Sequence, residues 1–170
     1  MLMFKASKQE VINAPAERIF EIVCDISRHP ELAGSGEVKV IRKVTEGPVK
    51  MGTKFEADEE IKMGPSRSKF TATSEVTQYD PPKVFSWTSQ PPATMSPKMK
   101  RIQWWFRLEP SGNGTKVTHA VEVEPRSAVL AILMKPMYAV MRGGTVNKGM
   151  KRTLERLKQK AETGAKAPAA

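Results

Sequence analysis

The chain has 170 residues, 39% hydrophobic and 27% charged, with a net charge of +10 and one cysteine, Cys24. That length fits one domain and one core. The single cysteine excludes an internal disulfide, the longest apolar run, Ala128 to Met134, is far short of the roughly 20 residues that span a bilayer, and MLMFKASKQE lacks the apolar stretch of a signal peptide, so a cytoplasmic protein is expected.

Residues 4–12 read as a first strand. Asn13-Ala14-Pro15 starts a helix, because proline suits the first helical turn, and Ile19, Phe20, Val23 and Ile26 follow at helical spacing. His29-Pro30 breaks that helix, and Pro30-Glu31-Leu32 starts a short second one. Gly34-Ser35-Gly36 is a loop. Val38, Val40 and Val44 then alternate with polar residues, with Arg42 on their face. The turn from Glu46 to Gly52 leads to Phe55, Ala57, Ile61 and Met63, with Glu59 on their face. Gly64-Pro65-Ser66 turns the chain into a fourth strand carrying Phe70, Ala72, Ser74 and Val76 on one side. Asp80-Pro81-Pro82 separates it from a fifth, Val84 to Thr88. A loop from Gln90 to Pro97 holds three prolines. Ile102, Trp104, Phe106 and Leu108 share one face of a sixth strand, and Val117, His119, Val121 and Val123 one face of a seventh, across the turn Pro110 to Gly114. Pairing Leu108 with Val117 sets Phe106 opposite His119 and Trp104 opposite Val121, all on one side, as a sheet buried on one face requires.

Ser127 to about Glu162 reads as a long helix. Leu130, Leu133, Met137, Met141, Leu154 and Leu157 form its apolar stripe. Pro136 and Gly143-Gly144 interrupt it, so it is either kinked there or begins properly only after Pro136. Residues 1–163 are expected to form one domain and residues 164–170 a disordered tail. The fold class is α+β: a seven-stranded curved antiparallel sheet, two short helices after strand one, and a long C-terminal helix.

This order resembles the START-like superfamily, with its helix-grip or Bet v 1-like fold, and within it the bacterial polyketide cyclase/dehydrase-like group. Four stretches carry the likeness: Asn13 to Phe20 with Asp25 and His29-Pro30; Gly47-Pro48 with Gly52-Thr53; Val76 to Pro82 followed by Phe85-Ser86-Trp87; and Leu108-Glu109-Pro110 with Gly114-Thr115. Many relatives have tryptophan where this chain has Leu32. The resemblance implies a hydrophobic cavity between the sheet and the long helix. It does not choose between carriers and enzymes, because one fold hosts many functions.

The candidate chemistry is sparse. His29 and His119 lie on different elements and Cys24 has no cysteine partner, so no metal site or cofactor is expected. No phosphate-binding loop is present. His119 alternates with valines and so points to the concave side, where it acts either as a proton-transfer group or as a neutral histidine bonded to the backbone. Phe55, Phe70, Trp87, Trp104 and Phe106 from the sheet, facing Met134, Tyr138 and Met141 from the helix, line a pocket or fill a solid core. Arg42 and Glu59 are expected to meet and to orient a ligand's polar end, or else to reach solvent at the sheet edge. Trp104-Trp105-Phe106 after Lys98, Lys100 and Arg101 invites a nucleic-acid reading. Strand alternation opposes it, leaving only Trp105 outside.

Two functions follow. The first is binding or carriage of a hydrophobic small molecule, such as a lipid, quinone or polyketide-like compound. The alternative is a cyclase or dehydratase acting on a polyketide-like substrate. As partners, a monomer or homodimer is expected, with no nucleic acid. Residues 127–170 hold nine basic and two acidic side chains. Lys148, Lys151, Arg152, Arg156, Lys158 and Lys160 in that stretch either solvate a helix face or dock transiently on an anionic membrane. No second, exposed apolar stripe is expected, so nothing should insert.

Overall fold

The computed structural model describes residues 2–63, 65–94 and 99–164. Strand β1 (Phe4–Ile12) leads to helix α1 (Ala16–Cys24), a single 3-10 turn (Ile26–Arg28) and the one-turn helix α2 (His29–Leu32). Six strands follow: β2 (Val38–Lys43), β3 (Lys54–Met63), β4 (Ser66–Asp80), β5 (Val84–Gln90), β6 (Met99–Ser111) and β7 (Gly114–Pro125). They form one sheet in the order β1-β7-β6-β5-β4-β3-β2, with every pairing antiparallel. The register across β6 and β7 is the expected one: Leu108 faces Val117, Phe106 faces His119 and Trp104 faces Val121. The expected tail lies, beyond Gly164, outside the described residues, as do Gly64 and residues 95–98.

The C-terminal helix is continuous but changes its winding. Ser127 caps α3 (Ala128–Tyr138), its hydroxyl accepting from the Leu130 N–H at 3.2 Å, as N-cap serines do. Pro136 sits inside α3 and can donate no hydrogen bond to the preceding turn. A π-helical segment, Ala139–Gly143, follows, and α4 runs from Gly144 to Thr163. The helix therefore begins before Pro136. Proline and π winding are both common sources of helix irregularity.

That winding divides the long helix into two unequal parts. Leu154, Leu157 and Ala161 of α4 are buried against Ile12, Ile19, Phe20, Val23 and Val117 in the solid half of the core. α3 packs more loosely over the other half. Leu133, expected in the inward stripe, is 67% exposed, and Val129, Ile132 and Val140 are exposed with it. Apart from Lys135, α3 is apolar, so sequence spacing alone could not say which residues turn in.

β2 also departs from expectation. A bulge between Val38 and Val40 leaves Lys39 unpaired. An extra residue shifts the alternation by one, so Val38 and Ile41 face inward while Val40 and Val44 are exposed. Arg42 goes out with them, opposite Glu56, and Glu59 lies opposite Val38. The expected meeting of Arg42 with Glu59 does not occur. Arg42 instead forms a two-pronged bond to Asp58 at 2.6 and 2.8 Å on the outer surface.

The helix is fixed to the loop after α2 by backbone contact. The Gly34 N–H donates to Thr153 Oγ1 at 2.9 Å, and Thr153 Oγ1 donates to the Gly149 carbonyl at 2.9 Å. A side chain on Gly34 would put its first carbon 2.6 Å from the Thr153 nitrogen. Only glycine permits so close an approach.

Candidate ligand-binding cavity

Between the sheet and the helix from Met134 to Thr153, across the end of α3, the π segment and the first turns of α4, lies a cavity of about 580 Å³. That volume is within the roughly 300–1,000 Å³ typical of small-molecule sites.

Strand pairing builds one wall as a run of stacked rings. Trp87 on β5 faces Trp104 on β6, and their rings stack with centroids 6.3 Å apart and planes 14° apart. Trp104 lies 5.5 Å and 22° from His119. Phe106 lies 4.2 Å and 7° from the same imidazole. Trp105 points the other way, beneath the guanidinium of Arg107 at 5.9 Å. A single outward tryptophan is no platform for stacking bases.

His119 Nδ1 lies 2.9 Å from the Trp105 carbonyl oxygen. A carbonyl only accepts, so Nδ1 carries the proton and Nε2 keeps a lone pair. Among the described residues no buried side-chain nitrogen or oxygen lacks a partner, so Nε2 must open on the cavity. Burial holds the His119 pKa down at about 4, against a weaker opposing pull from the Trp105 carbonyl. The ring is thus neutral near pH 7. His29, buried beside Trp87 at a centroid distance of 5.1 Å, donates from Nε2 to the Val23 carbonyl at 2.8 Å. Burial lowers its pKa too. Both imidazoles face the space as neutral hydrogen-bond acceptors.

A second polar group sits on the far strands. Glu59 of β3 lines the cavity between Val38 of β2 and Phe70 of β4. Burial pushes its carboxyl up to about 7, reinforced by nearby Glu37 and opposed by Arg142. Its carboxyl has no hydrogen-bond partner among the described residues. Arg142, in the π segment, is taken up by Glu37 through two bonds of 2.7 and 2.9 Å. This pair, with side chains 12% and 18% exposed, ties the helix to the chain just before β2. Tyr138 adjoins Arg142, and burial raises its pKa.

Of the expected site residues, Phe55, Glu59 and Phe70 line the space from β3 and β4, and Trp87, Trp104, Phe106 and His119 from β5, β6 and β7. Met134, Tyr138 and Met141 line it from the helix side. Arg42 does not reach it, because the β2 bulge turned its face outward. Sequence reading missed Glu37, Ser74, Ser89, Arg142 and Thr153, and treated His29 only as an unlikely metal ligand. Arg142 did carry a signal, being the one charge within Pro136 to Val146. No group of histidine, cysteine and carboxylate side chains that could hold a metal ion occurs among the described residues.

The C-terminal helix shows an apolar surface that was not expected. Val129, Ile132, Leu133 and Val140 are 67%, 63%, 67% and 85% exposed. Val129, Ile132 and Leu133 lie on α3 and Val140 in the π segment, and none of the four lines the cavity. Farther along, Lys148, Lys151 and Arg152 are exposed. Lys158 is bonded to Glu10 at 2.7 Å and Lys160 to Glu31 at 2.8 Å. Arg156 donates to the Ala33 carbonyl at 2.7 Å. Only part of the basic cluster therefore faces outward. Among the described residues no helix is long and apolar enough to cross a membrane.

The family of polyketide cyclase/dehydrase and lipid transport proteins matches residues 3–162. No curated protein sequence matches the chain. Among solved structures, it is similar to the Zhui aromatase/cyclase from Streptomyces sp. R1128, with 14% identity, 98% of each chain covered and a TM-score of 0.67. It is similar to a START superfamily protein from Mycobacterium smegmatis, with 16% identity, 94% of this chain and 97% of that one covered, and a TM-score of 0.63. The ginseng major latex-like protein 151 from Panax ginseng gives 10% identity, 93% and 97% coverage, and a TM-score of 0.66.

Proposed function

The chain belongs to the polyketide cyclase/dehydrase and lipid transport family, and from that premise we propose that it binds and carries a hydrophobic small molecule in the cavity beneath α3. The observation that carries this reading is the space itself: about 580 Å³ walled by stacked aromatic rings and roofed by methionines. Apolar walls with a few placed polar groups are what a binding site needs. An enzyme of the cyclase or dehydratase type needs an acid and a base converging on one bond. The basic His119 is on β7 and the acidic Glu59 on β3, four strand positions apart. At about 4.8 Å per strand they do not form an acid–base pair on a single bond, which favours binding over catalysis. Native mass spectrometry of the protein purified from its own host tests the reading, together with titration by the neutral dye Nile red. Saturable binding that weakens in Trp104→Ala is expected. Absence of saturable dye binding, with no retained ligand, would overturn it.

A second reading concerns where the ligand is exchanged. We propose that α3 docks transiently on an anionic bilayer. Val129, Ile132 and Leu133 on α3, and Val140 in the π segment after it, are apolar and exposed, and the same helix continues into exposed Lys148, Lys151 and Arg152. Each such cation contributes about 1 kcal/mol near an anionic surface, and the apolar side chains add shallow burial among the acyl chains. Because α3 also roofs the cavity, docking would place the ligand's exit at the lipid. Co-sedimentation with vesicles containing phosphatidylglycerol is expected, weakening in high salt and in Val140→Asp. Equal binding to phosphatidylcholine vesicles, or none to either, would refute docking. An acidic protein partner would appear as stable association with no vesicle binding.

A further inference from the structure

We infer that the cavity selects a ligand that is uncharged at the end lying against β3, and that Glu59 donates a hydrogen bond to an oxygen of that ligand. The inference deepens the carrier reading and rests on it.

The argument starts from the charges around Glu59. Its neighbours across the sheet, Val38 on β2 and Phe70 on β4, are apolar. From the segment before β2 comes Glu37. From the helix come Arg142 and Tyr138. Arg142 is the cation that a ligand's carboxylate would seek, but Glu37 already occupies its fork with bonds of 2.7 and 2.9 Å. That two-point geometry is the strong form of the contact. The pair is neutral as a unit. The remaining group is Glu59, whose carboxyl has no partner among the described residues.

A carboxyl in this position has two states. Protonated, it offers one O–H donor to the cavity and leaves the site electrically neutral. Ionised, it places an uncompensated negative charge beside Glu37 in an apolar space, which is costly. Burial therefore favours the acid form up to about pH 7. In either state a ligand carboxylate is unwelcome: it meets a neutral acid with its counter-cation spoken for, or a second negative charge. A ketone, ester, ether or alcohol oxygen meets a donor that has no other use. The free lone pairs of His119 and His29 complete the pattern at the other side of the space, since they too hold no charge to attract an anion.

The test uses two ligands with the same ring body: methoxy-acetylnaphthalene, a neutral ketone, and methoxynaphthoic acid, an anion near neutral pH. Neither the ketone nor its ether ionises. Binding is read by quenching of tryptophan emission, with Nile red as a separate reporter of whether the cavity accepts ligands at all. At about pH 6 the ketone is expected to bind at least about tenfold more tightly than the carboxylate, as a buried unpaired charge demands. From about pH 6 to about pH 8 the ketone's Kd should rise about tenfold, following the loss of the Glu59 proton around 7. In Glu59→Gln, which keeps a donor and cannot ionise, the Kd should stay flat across that range. The inference is overturned if the carboxylate binds as tightly as the ketone, if the ketone's affinity ignores pH, or if Glu59→Gln keeps the wild-type pH profile. Nile red binding without ketone binding also overturns it and leaves the carrier reading standing. Failure of both probes removes the carrier reading itself.

Discussion

Phe106 and His119 lie face to face on adjacent strands, their ring centroids 4.2 Å apart and their planes 7° from parallel. A charged imidazolium would lose solvation there with no carboxylate beside it, so the stack belongs to the neutral ring. His119 has a folded-state pKa of about 4 against 6.5 for a free histidine. The stability this contributes is present above 6.5 and is lost as pH falls through 4, on the order of 3 kcal/mol over the whole window. His119→Phe should remove that acid-side loss, seen in chemical denaturation across pH as a changed slope of stability below pH 6.5. An unchanged acid limb would mean that the ring is solvated.

Glu59 works in the opposite direction. Its folded pKa of about 7 exceeds the ordinary 4.5, so the folded state holds the proton more tightly. That contribution is fully present below 4.5 and is lost as pH rises through 7, again on the order of 3 kcal/mol. Between 4.5 and 6.5 the two slopes overlap with opposite signs. Wild-type stability should therefore vary little there. Glu59→Gln should make stability rise with pH across this interval, and His119→Phe should make it fall. Parallel profiles in both variants would contradict the assignment.

Gly34 tolerates no side chain. Gly34→Ala would force the loop after α2 away from Gly149 and Thr153 and break the N–H bond to the Thr153 hydroxyl. Overpacking and a lost buried hydrogen bond together cost about 2–5 kcal/mol. Thermal unfolding should show a corresponding loss. Gly36→Ala is the comparison, since an added carbon there meets nothing within 4 Å and the strain arises only from a φ of 68°. A milder loss is expected, about 1 kcal/mol.

Arg42→Ala should leave cavity-probe affinity within about twofold of wild type, because the side chain is bonded to Asp58 on the outer face and exposed ion pairs contribute little. A larger drop in affinity, measured by Nile red titration, would return Arg42 to the site.

The seven strands and their inward faces were readable because one-sided burial imposes a period of two, and most of the strands obey it. β7 alternates buried and partly buried residues along its whole length. What could not be read were departures from regular period. The bulge at Lys39 has no glycine or proline to announce it, yet it moved Arg42 outside and Ile41 inside. In α3, every residue before Lys135 is apolar, so Leu133 and Met134 were indistinguishable by hydrophobicity. Long-range pairs were also hidden: Glu37 and Arg142 are 105 residues apart, and neither stands in a motif.

The π segment between α3 and α4 carries one further consequence. A helix turns about 100° per residue, so the number of residues from 139 to 143 sets the rotational phase of everything before it relative to the anchored α4. Deleting one residue there would swing Met134 and Tyr138 sideways by about a quarter turn, carrying the cavity roof off its opening while leaving both helices intact. Length in this segment is thus more tightly constrained than composition. A single deletion should abolish probe binding with helical circular dichroism preserved, whereas Val140→Ala should preserve both.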